Sequence, residues 1–181
     1  MDSTTAFYIA QGISVVTGVL EIVTMQLKNM KTLLFFQVVI NLLASLNYLL
    51  LGGDTGAFVS LLAILQSIVM FVLNVNHKKP PLALIIAFVT GYVGISTYNI
   101  ISSGELMGIL PALAAFCFCM ALVQQKPSIF RIWGALNPAL WMPYDLFTSS
   151  YVMFFVHLGI LISTIVAMIR LDGLFCRKKR N

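Results

Sequence analysis

Charge is scarce in this 181-residue chain: Asp, Glu, Lys and Arg together make up 9% of it, alongside only two histidines and three cysteines. That poverty excludes most catalytic centres. There is no HExxH, no nucleophile elbow, no phosphate-binding loop and no carboxylate cluster, and His77 and His157 fall at different depths, so the sequence does not read as an enzyme. Cys117 and Cys119 stand two apart on one helix and therefore point to different faces, while Cys176 lies in a basic tail. Neither a disulfide framework nor a metal set follows, and no cofactor is expected. The first apolar run also lacks a preceding basic stretch and a following small-residue cleavage pattern, so it is expected to remain as a helix.

What the chain does have is apolar length. Hydrophobic residues make up 60% of it and the mean hydropathy is +0.97, far outside soluble averages. Between polar breaks the runs are Phe7 to Gln26, Lys31 to Leu51, Gly56 to Val75, Pro81 to Ser102, Leu106 to Val123, Ile129 to Phe147 and Tyr151 to Leu171. At about 1.5 Å per residue each approaches the ~30 Å hydrocarbon core, which predicts an all-α membrane protein of seven transmembrane helices. Lys28 and Lys31 flank the first connection, Lys78 and Lys79 lie in the third, and Lys126 and Arg131 flank the fifth. Arg170, Arg177, Lys178, Lys179 and Arg180 mark the end, whereas Asp2, Asp54, Glu105 and Asp145 lie on the other side. The positive-inside rule then places the N-terminus outside and the C-terminus in the cytosol, and the net charge of +5 expresses that topology without implying nucleic-acid binding.

Sliding the chain against itself by 96 positions matches Asn41 with Asn137, Tyr48 with Tyr144, Leu50 with Leu146, Phe58 with Phe154 and Ser67 with Ser163. It gives eight identities in the thirty positions from Asn41 to Met70. The division that follows is a first three-helix repeat over 7–75, a linker helix over 81–102, a second repeat over 106–171 and a basic cytosolic tail over 172–181. Both triplets start on the same side, so they would be parallel repeats, a plan known among transporters with the substrate site at the repeat interface.

The spacing of Asn137, Trp141 and Tyr144 in "NPALWMPY" resembles the N-x-x-x-W-x-x-Y pattern of a repeat's second helix in the SWEET and PQ-loop (MtN3-like) transporter superfamily. "NLLASLNYLLLGGDTGAF" resembles more specifically the YgjV-type bacterial inner-membrane proteins of that superfamily. The resemblance implies a SWEET-like three-plus-one-plus-three layout in a bacterial inner (plasma) membrane. It also implies a central pocket in which Ser45 and Trp141 take the places of a serine on the second helix and a tryptophan on the sixth. The pocket asparagines of helices 7 and 3 fall at or near His157 and Leu61. Helices 1 and 2 contain no proline and no Pro-Gln pair.

Depth arithmetic reaches some of the same residues. Trp141 precedes Phe147 by six positions and His157 follows Tyr151 by six, so each lies about 9 Å below the outer boundary and antiparallel neighbours would hold them level. An aromatic face beside an imidazole suits a flat or cyclic polar solute or a cation, and His157 is also a candidate proton sensor or an interhelical hydrogen-bonding group. Asn41, Asn137, Tyr48 and Tyr144 join this candidate set as repeat partners. Gln66 lies near mid-membrane as either a solute ligand or helix glue. Glu21 is expected to snorkel or to pair with Arg131. Pro138 and Pro143 should kink helix 6 and Pro111 helix 5, giving hinges. Gly91 and Gly94 are close-packing sites, with a second copy as one candidate partner.

The resulting expectation is a facilitator or proton-linked carrier of a small polar solute, such as a sugar or a vitamin- or nucleoside-like molecule. It would work by alternating access between two three-helix bundles in contact with the lipid bilayer. A non-transporting membrane receptor or assembly protein with the same fold is the alternative.

Overall fold

The computed structural model describes residues 3–50, 54–103, 109–147 and 151–173, and these form seven helices with no strand among them. They are α1 (Ser3–Met25), α2 (Met30–Leu50), α3 (Asp54–Val75), α4 (Leu82–Ser103), α5 (Ile109–Val123), α6 (Pro127–Phe147) and α7 (Tyr151–Asp172). Each apolar run has become one helix. The expected start of the fifth at Leu106, most of the basic tail and Cys176 lie outside the described residues. α3 begins at Asp54, two residues before the expected start of its apolar run at Gly56.

Four segments are long and apolar enough to cross a membrane: Thr4–Met25, Met30–Asn47, Leu82–Ser102 and Met153–Asp172. Val59–Val75 and Ala112–Val123 are shorter apolar stretches. The sixth helix is in neither class, because Arg131, Asn137, Asp145 and two prolines dilute its apolar content.

Helix ends are set by local chemistry. At the start of α2 the Asn29 side-chain oxygen accepts from the Lys31 amide at 3.0 Å, an N-cap that satisfies an otherwise orphan donor. At the end of α3, Lys78 N donates to Leu73 O at 2.9 Å and His77 N to Asn74 O at 3.1 Å, with His77 at φ 54°. That is a Schellman closure, and Pro80 and Pro81 then prevent continuation. Pro127 opens α6, where its missing N–H costs nothing. Gly173, at φ 65°, stops α7 immediately after Asp172.

The core is mainly apolar, with Met25, Leu33, Leu34, Leu122 and Phe130 buried, but it also encloses polar groups, and the outer face is apolar. Gln37, Asn41, Ser45, Gln66, Ser67, Arg131 and Thr164 are buried, while Val15, Val19, Leu65, Ile86, Ile101 and Ile165 are exposed. Lipid can receive the latter, whereas the former must be satisfied inside the protein.

Within each triplet the middle helix touches both others: α2 packs on α1 and α3, and α6 on α5 and α7. Between triplets α1 meets α7 and α3 meets α5, so six helices close a ring. The remaining helix, α4, packs outside the ring against α3 and α5. Exchanging α1 with α5, α2 with α6 and α3 with α7 leaves this neighbour pattern unchanged. Gly91 turns towards Leu62 of α3, so its close contact is internal, while Gly94 faces open space.

The α1–α7 seam is tight because glycine lets the backbones approach. A Cβ at Gly18 would sit 2.9 Å from Val156 Cγ1, and one at Gly159 would sit 3.3 Å from Ile22 Cδ1. Gln26 Nε2 donates across the seam to Ser163 O at 2.7 Å and Oγ at 2.8 Å. Gly18→Val should therefore destabilise the protein by about 1–3 kcal/mol, read as a lower Tm in detergent, whereas Gly94→Ala should be tolerated.

Candidate functional site

Among the described residues, one cavity lies at the lysine-rich ends of α1, α6 and α7 and another inside the ring. The wider, about 330 Å³, opens at the lysine-rich end and is lined by Lys28, Lys126, Ser128, Arg131 and Asp172 among others. The inner one has free space of about 10 Å³, room for about one water molecule, and is lined by Glu21 and Met25 of α1, Gln37 of α2, Phe130, Gly134, Asn137 and Pro138 of α6, and the apolar Phe118, Ala121 and Ile160 of α5 and α7.

Arg131 helps to separate them. Its side chain is 1% exposed, and nearly all its donors are used. Nε donates to Met25 O at 2.9 Å, Nη1 to the two Asp172 oxygens at 2.8 and 3.0 Å, and Nη2 to the Leu27 carbonyl. The guanidinium thus satisfies carbonyls left open at the α1 C-terminus, where a cation is also favoured by the helix dipole, while Nη1 alone reaches both oxygens of a carboxylate from α7. The expected pair with Glu21 does not form. Glu21 is on α1, about 6 Å along the axis above the Met25 carbonyl that Arg131 binds, whereas Asp172 comes level with the guanidinium at the end of α7. Asp172 is the residue that sequence reasoning missed, and its signal was available: it is the one carboxylate at the lysine-rich end.

At the opposite depth, Trp141 and His157 lie side by side. Their ring centroids are 5.9 Å apart at 13°, a stacked arrangement, and the Tyr144 ring stands edge-on to Trp141 at 5.7 Å and 77°. These three expected residues therefore come together on α6 and α7.

Others of the set do not join them. Asn41 Nδ2 donates to Gln37 O at 2.7 Å and to Ser67 Oγ at 3.2 Å, tying α2 to α3. Its repeat partner Asn137 donates instead to Ala114 O of α5 at 2.8 Å. Gln66 donates to Cys119 O and Sγ, both at 3.2 Å, so it bridges α3 and α5. Ser45 is buried on α2, whereas Leu61, the position matched to His157, is 50% exposed on the outer face. The side chain of Tyr48 is outside the described residues.

The prolines also divide. Pro138 is buried and Pro143 exposed inside α6, where each denies an N–H to the carbonyl four residues earlier, Gly134 and Ala139. Pro111 is the third described residue of α5; positions 104–108 before it and its own side chain lie outside the described residues.

One comparison places this architecture. The family model "Imp-YgjV: Bacterial inner membrane protein" matches residues 8–174. The chain belongs to the YgjV family. It is accordingly a bacterial inner membrane protein, in keeping with its apolar spans. No curated protein and no solved structure matches this YgjV-family chain.

Removing one partner of the Arg131–Asp172 pair leaves a buried charge without its complement. Arg131→Met should cost about 3–5 kcal/mol in detergent unfolding, and Arg131→Met combined with Asp172→Leu should recover most of that loss.

Proposed function

We propose that this YgjV-family protein carries a small polar solute across the inner membrane by alternating access between α1–α3 and α5–α7, with α4 as the linker. The observation that carries this reading is the ring itself. Its neighbour pattern survives exchange of the two triplets, and buried polar residues are set among its apolar core while many large apolar side chains face outward. Two equivalent bundles around a shared interior can rock against each other without exposing polar groups to lipid. The 96-residue repeat and the resemblance to SWEET and PQ-loop transporters support the same layout. The lysine distribution supports an outer N-terminus and a cytosolic C-terminus.

In this proposal the solute meets the Trp141–His157–Tyr144 group. A flat ring can slide against the indole, and the imidazole supplies a donor or an acceptor. A cyclic polar solute of sugar, vitamin or nucleoside class fits that chemistry. The free carbonyls that Pro138 and Pro143 leave in α6 weaken its hydrogen-bond ladder beside the aromatic group, which supports α6 as the moving wall.

One observation favours a second reading, a non-transporting receptor or assembly protein with the same fold: the inner cavity has room for about one water. Alternating access accounts for this as a closed conformation, whereas a receptor would keep it.

Uptake of labelled sugars, vitamins and nucleosides into proteoliposomes separates the two. The transporter reading predicts saturable uptake of at least one solute, reduced about tenfold or more by Trp141→Ala and by His157→Ala. It also predicts that Pro138→Ala with Pro143→Ala slows uptake more than it lowers Tm. No uptake across the panel, with stable copurification of a partner protein, would favour the receptor.

A further inference from the structure

The inner cavity combines features that a solute pocket does not need. Its free space, about 10 Å³, is too small for any sugar-sized molecule. Its polar lining is rich in oxygen: the carboxylate of Glu21, the amides of Gln37 and Asn137, and Gly134, whose carbonyl receives no N–H from Pro138. Gln37 is 1% exposed, and its Oε1 is buried with no hydrogen-bond partner. Among the described residues the Glu21 carboxylate makes no salt bridge or hydrogen bond at contact distance, and its electrostatic neighbour is His157 of α7. Asn137 is oriented by its Nδ2, which donates to Ala114 O, so its own oxygen is left to accept.

A buried acceptor without a donor is costly, and so is a carboxylate held within a membrane span. Here the two line one space of atomic size. A cation resolves both at once, because each oxygen presents lone pairs and the single carboxylate balances a single positive charge. A divalent ion would leave a buried excess charge, and the described residues hold no group of three or more His, Cys, Asp or Glu of the kind a transition metal prefers. Oxygen donors of mixed carboxylate, amide and backbone type suit a hard cation.

We infer that the inner cavity is a binding site for one small monovalent metal cation, sodium or potassium, held by Glu21, Gln37, Asn137 and the Gly134 carbonyl. The ligands come from both triplets, α1 and α2 on one side and α6 on the other. Occupancy therefore draws the halves together at the depth where proline has freed α6 to move. Under the transport reading this ion is the coupling ion, but the site rests on the cavity alone and its test is binding, not uptake.

The test is the thermal stability of the purified full chain in detergent, in sodium, potassium or choline chloride at equal ionic strength and fixed pH, with equilibrium binding of radioactive sodium alongside. With the ion at several times its dissociation constant, Tm should rise by about 2–4 °C over choline and saturate. Glu21→Gln, which keeps shape and removes charge, should abolish the rise, and Gln37→Leu should weaken it several-fold in midpoint concentration. Having two variants guards against misfolding of either one. A rise in only one of the two salts identifies the ion and supports the site. An equal Tm in all three salts, a rise that persists in Glu21→Gln, or stabilisation by acid alone would overturn it, the last assigning the charge to a bare proton.

Discussion

A single guanidinium holds one end of this molecule together. Arg131 leaves α6, takes carbonyls from the end of α1 and grips the carboxylate that ends α7. A lone arginine so buried would be prohibitively costly. Here the cost is offset because every group it meets needs a partner as well: the carbonyls are helix-end orphans, and Asp172 is an acid at a basic end. The contact crosses between triplets, since α1 belongs to one and α6 and α7 to the other. While it is made, Arg131 and Asp172 line the floor of a vestibule of about 330 Å³ that opens at the lysine-rich end.

Polar pairing elsewhere in the ring follows the same economy, with a different outcome in each half. The paired asparagines at the 96-residue offset make the contrast plain. Asn41 looks towards α3 and leaves α2 an unbroken helix, whereas Asn137 looks towards α5 and stands beside a proline that breaks the ladder. α2 thereby keeps its hydrogen-bond ladder, and α6 has carbonyls that its prolines leave without an N–H. The inner cavity lies where the two meet, and the stacked Trp141 and His157 lie farther towards the acidic end. A wide vestibule, a charged clasp, an atom-sized cavity and an aromatic pair follow one another from the lysine-rich end inwards.

Much of this was legible in the order of residues, for a physical reason. Apolar length is a local property, so the seven helices can be read without knowing their neighbours. The level placement of Trp141 and His157 also follows from helix rise alone, once α6 and α7 are antiparallel. Partner choice is not local. Whether Arg131 meets Glu21 or Asp172 depends on the rotation of α6 and the relative heights of α1 and α7, which no periodicity encodes. For the same reason Gln66 could be placed at mid-membrane but not assigned to Cys119. Leu61 matched His157 by counting, yet it turned out to face outward.

The central claim is that the two triplets are separate bodies joined at the lysine-rich end by the Arg131 clasp. Spin labels at Lys28 of one triplet and Lys126 of the other, in a background without Cys117, Cys119 and Cys176, would report their separation in a bilayer by electron resonance. The intact protein should give one short distance. Replacing the clasp by Arg131→Met with Asp172→Leu should add a second, longer distance while the fold persists. A single unchanged distance in both proteins would contradict the account.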